Sequence, residues 1–532
     1  VALTAHRGRW APVLLIATLT GAARLPFLIR GDQFFNSDEA VEGLMARHVG
    51  FNEHPVFMWG QSYKGVPEVY VAAAAFRLAG ASVVVLKTTT LLFFAAFVGC
   101  YFVLIDELFS RRVAWLASLF LIFCPPVLVY WSLNGSAEIA ITLLTGTVLM
   151  LGAERWQQTR APAALAVACG AVGFGLWVQQ FIVYYVVALA VVTSGSRPRN
   201  PRWKVLRLFL GLSVIYGLMG AFAFFTDGFD LPAGIGVHHP QKLWRFAGVF
   251  LAVWAAGGWL ETLTRRERVV AAAGFAIGYG PAIAYRLSTA GGGLPPLGRL
   301  DIHSLPGLVG FTMHGVIPML LGFAGPTSDS LPVPRPLMIL MVAAIAISYS
   351  AISYSTASHT RRIFHVFLIS TPLIALASGS YSEIQSYRYL MPIFAALPAI
   401  YATGVAAVWD WHRSVGLALG GALLATFAFE QMVWSQTLGP DTESRAVLAC
   451  MNQQGVRRAY AGYWLSYKLT FLSGETIIVA PRDGSDRYPA YTALVRAADR
   501  APTVVTPPGP DPEAVPCNRV LTYFPLFAPP RR

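Results

Sequence analysis

Charge is what this sequence has least of. Asp, Glu, Lys and Arg make up 13% of its 532 residues, against 55% hydrophobic ones, whereas soluble domains carry about 25% charged residues. A chain so poor in charge cannot cover a water-facing surface, so lipid must be its main solvent. A mean hydropathy of +0.54 agrees. Charge is nearly absent from the middle of the apolar runs as well. Ion-coupled transporters place ionisable groups there, at about 2.5–3.5 kcal/mol each on insertion scales, so this scarcity argues against a transporter or a lipid-linked oligosaccharide flippase. No Walker phosphate loop, paired CxxC or HExxH helix occurs, which removes the commonest nucleotide and zinc chemistries. His238-His239 fits a polar loop tip better than a metal site. Cysteine is sparse too: Cys100, Cys124 and Cys169 lie in apolar runs as packing residues, and Cys450 and Cys517 lie in the polar tail.

What the chain has in abundance is apolar runs. Those of about 17–25 residues mark membrane spans, with allowance for short or tilted ones. They fall near residues 10–30, 83–105, 113–131, 137–152, 162–178, 180–193, 205–225, 246–263, 268–285, 337–355, 363–378, 389–408 and 415–434, about thirteen in all. Trp10–Ile29 follows His6, Arg7 and Arg9 and has no small-residue cleavage site after it, so it reads as a retained span. The net charge of +13 comes mostly from short loops. Arg7/Arg9, Arg111/Arg112, Arg155/Arg160, Arg197/Arg199/Arg202/Lys204, Arg265/Arg266/Arg268, Arg361/Arg362 and His412/Arg413 share one side, which the positive-inside rule makes cytoplasmic, together with the N-terminus. These are orientation signals and not a nucleic-acid-binding stripe.

The opposite face receives the richer loops: 31–82, the turn Asn134–Glu138, 226–245, 286–336, Tyr381–Tyr389, and the tail after Ser435. Val69–Leu78 and Leu308–Phe323 must then be interfacial or re-entrant. In the tail, Thr442–Gln454 and Leu465–Leu472 read as helices, and Arg458–Tyr463 and Thr476–Ala480 as strands. The expected architecture is an all-α polytopic membrane region, residues 1–434, and a small extracytoplasmic α/β domain, residues 435–532. An outer location permits oxidation, so Cys450 and Cys517 are predicted to form a disulfide.

Loop 31–82 holds the densest chemistry. Asn36-Ser37-Asp38-Glu39 precedes Val41, Leu44, Met45, His48 and Val49 at helical spacing. That pattern predicts a short amphipathic helix along the membrane face, capped by Asn36 or Ser37, with Asp38 and Glu39 in its first turn. Acidic residues there can serve only to stabilise the positive helix end, or one can be a rigidly held carboxylate that accepts a proton. Downstream, in Trp59-Gly60-Gln61-Ser62-Tyr63-Lys64-Gly65-Val66-Pro67-Glu68-Val69-Tyr70, the glycines permit close backbone approach. Tyr63 and Lys64 offer an aromatic face and an ammonium, for a ligand or as interface anchors. In Tyr387-Arg388-Tyr389-Leu390-Met391-Pro392 a guanidinium between tyrosines suits a phosphate oxyanion, or snorkels at a helix end. Glu138 and Glu68 are further acidic candidates.

In order and sidedness these segments resemble the C-type (GT-C) membrane glycosyltransferases, nearest to the protein O-mannosyltransferase and lipid A aminoarabinose transferase branch. The resemblance spans the full length. It implies an enzyme that moves a sugar from a polyprenyl-phosphate donor to an acceptor hydroxyl on the outer face of a bacterial-type inner or plasma membrane, with inversion. It places Asp38 as the base, followed by Glu39 as in the family's Asp-Glu pair, and Arg388 as a ligand of the donor phosphate. Lys64, Tyr63 and Tyr387 are expected to assist. The acceptor is a lipid, a glycan or a protein; no extra sugar-binding module of the eukaryotic protein mannosyltransferases is present, which weighs against a protein. Branch members with pyrophosphate donors use a divalent cation, so that cofactor stays open, with no metal ligands assigned. An O-antigen polymerase or ligase, holding pyrophosphate with Arg286, Arg299 and His303, is the other enzyme class considered; the acidic first loop fits it poorly.

Overall fold

The computed structural model describes residues 4–194, 203–226, 229–231, 235–237, 240–289, 305–326, 343, 362–378, 384–498, 501–505, 515–518 and 521–524. The expected span 337–355 apart from residue 343, together with His238-His239, Arg299 and His303, lies outside these.

From the N-terminus the helices are α1 (Thr4–Arg30), α2 (Ser37–Val49), α3 (Pro67–Ala79), α4 (Val83–Leu108), α5 (Arg111–Ile122), α6 (Pro126–Trp131) and α7 (Ile139–Thr159). Then come α8 (Pro162–Val178), α9 (Ile182–Ser194), α10 (Trp203–Phe225), α11 (Pro240–Glu261), α12 (Arg265–Ser288), α13 (Leu305–Phe311) and α14 (Ile317–Leu321). Next are α15 (Ile363–Ala377), α16 (Leu397–Trp411) and α17 (Arg413–Gln436). Two hairpins interrupt them, β1 (Phe57–Met58) with β2 (Gln61–Gly65), and β3 (Phe229–Leu231) with β4 (Ile235–Val237).

Among the described residues five helical segments are long and apolar enough to cross a membrane: Trp10–Phe34, Val83–Leu108, Ile139–Thr159, Arg207–Phe225 and Arg413–Gln436. Ser386–Ala395 and Leu397–Trp411, bent by 41°, make a sixth if they count as one span. Four more apolar helices are shorter. Of the thirteen expected spans, five to six are shown by length and composition among the described residues, several other apolar runs there being shorter helices.

The break between α5 and α6 shows how such a run is tolerated. Pro125 and Pro126 cannot continue a helix, and the carbonyls they free need protein partners at membrane depth. Arg24 of α1, fully buried, donates to the carbonyls of Ile122 and, at 3.0 Å, Leu121, and stands 5.1 Å from the Phe94 ring centroid. Gln431 of α17 donates to Cys124 O at 2.8 Å. So buried polar groups do enter the spans, here to complete the backbone.

The tail carries α18 (Thr442–Gln453), β5 (Arg458–Ala461), α19 (Tyr463–Leu472), β6 (Ile478–Pro481), α20 (Pro489–Arg496), β7 (Thr503–Val505), β8 (Val515–Asn518) and β9 (Leu521–Phe524). The strands form one mixed sheet in the order β6-β5-β7-β9-β8, parallel on the β5 side and antiparallel around β9. Asp441 caps α18 by accepting from Ser444 N at 3.0 Å. Cys450 is disulfide-bonded, while Cys100, Cys124 and Cys169 are free; the expected partner Cys517 belongs to β8, which packs against α18.

One apolar core joins loop 31–82 to this tail. Val41, Leu44 and Met45 of α2 share it with Tyr467 and Phe471 of α19 and Val495 of α20. Gly43 is what lets the helices meet: a Cβ there would lie 2.5 Å from the Phe471 ring. The expected membrane-surface helix is therefore corrected. α2 packs between α3 and α19, with Ser37 and every residue from Glu39 to Ala46 buried, because a protein surface covers its apolar face before lipid can.

Candidate active site

The start of α2 sends two neighbouring carboxylates in different directions. Asn36 caps the helix by accepting from Glu39 N at 3.0 Å, and consecutive side chains then diverge by about 100°. Asp38 points to the tail. It accepts a hydrogen bond from the Tyr463 phenol, and an Arg487 terminal nitrogen lies 3.9 Å from the same oxygen. Its side chain keeps 16% exposure. Glu39 points inward and is 1% exposed. It accepts from Lys87 Nζ at 2.7 Å and Asn134 Nδ2 at 3.1 Å. Burial raises its pKa to about 7 against the lowering effect of Lys87.

Beneath the loop lies a second acidic group. Lys64 is buried, with its ammonium 3.1 Å from Glu42, 3.2 Å from Glu138 and 2.7 Å from Ser136 O. Burial alone would lower the Lys64 pKa, but Glu138 and then Glu42 hold it above its ordinary value, so it stays charged. Glu68 is buried with neither carboxylate oxygen hydrogen-bonded; burial, reinforced by Glu42, pushes its pKa well up. Among the described residues no group of three or more His, Cys, Asp or Glu is arranged to hold a metal ion.

Tyr63, half-buried on β2, lies within electrostatic range of Arg487, Lys64 and Arg388. Burial is the largest influence on its phenol and raises the pKa, while those cations oppose it. Arg388 sits on a long 3₁₀ segment, Ile384–Ala395, with its guanidinium 5.6 Å from the Tyr389 ring centroid. Tyr387 turns inward: it is buried and donates to Pro326 O at 3.3 Å. Of the expected phosphate-facing residues, Lys64 is enclosed by carboxylates and Tyr387 by protein, while Tyr63 and Arg388 are not enclosed in this way.

Sequence reasoning missed the tail residues. Arg487 Nε donates to the Tyr463 phenol oxygen at 3.1 Å. Gln61, with its amide oxygen turned toward the guanidinium, accepts from both terminal nitrogens of Arg487 at 2.9 and 3.0 Å. Nearby His48 bridges Glu53 and Glu475, each at 2.8 Å, and Tyr491 at 3.1 Å. Trp59 and Tyr488 stack beside it, with centroids 3.9 Å apart. No local pattern marks Arg487 or Tyr463, since only folding of the tail onto loop 31–82 brings them to Asp38.

No protein-family model and no curated protein matches the sequence. Solved structures do share the fold. ArnT from Cupriavidus metallidurans bound to undecaprenyl phosphate is 12% identical, with 98% of each chain covered and a TM-score of 0.54. The oligosaccharyltransferase AglB from Archaeoglobus fulgidus, in complex with an inhibitory peptide and a dolichol-phosphate, is 13% identical, covering 94% of this chain and 69% of that one, with a TM-score of 0.50. The Archaeoglobus oligosaccharyltransferase complex with zinc and sulfate is 13% identical over 93% of this chain and 67% of that one, with a TM-score of 0.52. At such identity the likeness is one of fold.

Proposed function

We propose that this chain is a C-type membrane glycosyltransferase, which moves a sugar from a polyprenyl phosphate to an acceptor hydroxyl on the extracytoplasmic face, with inversion and with Asp38 as base. The carrying observation is the environment of Asp38: a partly exposed carboxylate without a lysine partner, at the seam of loop 31–82 and the tail, bonded to an O–H donor. Neighbouring Glu39 is neutralised by Lys87 and enclosed. The shared fold with proteins solved with undecaprenyl phosphate and dolichol-phosphate supports a lipid-phosphate donor.

In this reading the acceptor O–H bonds to Asp38 and its oxygen attacks the sugar C1 opposite the phosphate. The new C–O bond forms, the C1–O bond to phosphate breaks, and the proton passes to Asp38. The donor phosphodiester becomes a monoester with one more negative charge, which Arg388 stabilises beside Tyr63. Lys64, Glu42 and Glu138 act from below, fixing the loop that presents Asp38. No metal ligands are assigned, and no step is routed through a metal.

Mass spectrometry of surface glycans from a deletion strain tests the proposal, together with release of polyprenyl phosphate from labelled short-chain donors by purified protein. The expected result is loss of one sugar from an envelope component, and donor cleavage that depends on the acceptor. Unaltered glycans with no cleavage of any donor would sink it. Sidedness is tested separately: a reporter that works only outside the cytoplasm, fused after Ser435, is expected to be active, and activity of a cytoplasm-only reporter there would reverse the orientation.

A further inference from the structure

Tyr463 stands where an acceptor hydroxyl would have to stand. Its O–H donates to Asp38 Oδ1, which is the bond a base makes to the proton it removes. The phenol is 7% exposed and is held in place. Arg487 Nε donates to its oxygen at 3.1 Å, and Gln61 ties the same guanidinium back to loop 31–82. Gly60, with φ of 68°, brings that loop against Arg487, where a Cβ would lie 3.1 Å from Cδ. Tyr467 fixes the segment carrying Arg487 by accepting from the backbone N–H groups of Arg487 and Tyr488 at 2.6 and 3.1 Å.

A base at an aqueous seam has a standing competitor for its acceptor, which is water. Asp38 would deprotonate a water in that position as it would a sugar hydroxyl. The oxygen of that water would then bond to the donor C1, the C1–O bond to phosphate would break, and the proton would end on Asp38. The products would be free sugar and polyprenyl phosphate, and the donor would be wasted. A phenol in the same position prevents this. Its O–H is held in the hydrogen bond to Asp38 and keeps its proton, and its oxygen accepts from a guanidinium, which makes it a poor nucleophile.

We propose that Tyr463, positioned by Arg487, is a placeholder that fills the acceptor-hydroxyl position at Asp38 between turnovers and excludes water from it. The inference rests on Asp38 being the base. An acceptor displaces the phenol as it binds, so exposure of the base and arrival of the acceptor are one event. The tail thereby selects acceptor over water as well as packing on the loop.

Tyr463→Phe keeps the ring and its packing but removes the hydroxyl. Acceptor-independent hydrolysis of a short-chain polyprenyl-phosphate sugar is expected to rise about tenfold, the order set by one hydrogen bond to a charged group. Transfer at saturating acceptor is expected to persist with a lower KM for acceptor. Unchanged hydrolysis, or a collapse of kcat at constant KM, overturns the placeholder role. In the Asp38→Asn/Tyr463→Phe double variant the gained hydrolysis is expected to vanish. If it persists, Asp38 is not the base and the placeholder role falls with that reading, whereas unchanged hydrolysis in the single variant overturns the placeholder alone. A donor-independent readout is the rate at which a water-soluble carbodiimide labels Asp38, followed by mass spectrometry. Faster labelling in Tyr463→Phe is expected, and equal rates contradict the proposal.

Discussion

The carboxylates at the seam and those beneath it live in opposite chemistries. Asp38 is partly open, faces a phenol and a guanidinium from the tail, and among the described residues has no ammonium bound to it. Glu39, Glu42 and Glu138 are buried and are taken up by Lys87 and Lys64. Two residues adjacent in sequence thus divide into a partly open carboxylate facing the tail and a buried carboxylate paired with a lysine. The difference teaches that two adjacent acidic residues need not share an environment. What separates its members is the turn of a helix and what folding lays against each side.

Three substitutions probe that contrast, in order of expected effect. Lys64→Met leaves Glu42 and Glu138 buried without their cation, and breaking such a group costs about 3–5 kcal/mol. A large drop in the thermal midpoint of the purified protein is expected; near wild-type unfolding would show that the cluster does not hold the loop. Arg388→Ala removes a charged hydrogen-bonding partner, expected to weaken binding of a short-chain polyprenyl phosphate by about 1.5–3 kcal/mol at unchanged stability. Equal affinity would make Arg388 a snorkelling side chain.

The smallest effect is expected at His48. Burial alone would lower its pKa, but hydrogen bonds to Glu475 and Glu53 raise it above the ordinary 6.5. A raised folded-state value means that the clamp between loop 31–82 and the tail contributes fully below about pH 6.5. That contribution is lost as pH climbs through the folded value. His48→Gln should cost about 0.5–1.5 kcal/mol at acidic pH and flatten this dependence of the unfolding midpoint. An identical pH profile in the two proteins would remove the clamp from the account.

What could be read from the sequence was local. Asn36 as a cap, the helical spacing after it, and the tail helix beginning at Thr442 all rest on neighbouring residues, and all have the expected structure. The two expected strands, Arg458–Tyr463 and Thr476–Ala480, lie within two residues of β5 and β6, because alternating and β-branched runs bounded by polar turns are local, whereas β7, β8 and β9 were not anticipated. What depends on distant partners was not readable. α2 has the pattern of a membrane-surface helix, and only α19 folding over it shows otherwise. Lys64 reads as an exposed cation until Glu42 and Glu138 enclose it. The run 113–131 reads as one span, since the groups that tolerate its break, Arg24 and Gln431, are remote in sequence. Arg487 and Tyr463 carry no motif at all.

The central claim is that Asp38, and not Glu39, takes the acceptor proton. Transfer rate, donor binding and thermal midpoint measured together on purified Asp38→Asn and Glu39→Gln test it most directly. Asn keeps the size of Asp38 but cannot act as a base, so transfer is expected to fall by about 10²–10⁴-fold with folding and donor binding intact. Glu39→Gln is expected to lose stability more than turnover. Near wild-type transfer by Asp38→Asn would contradict the account.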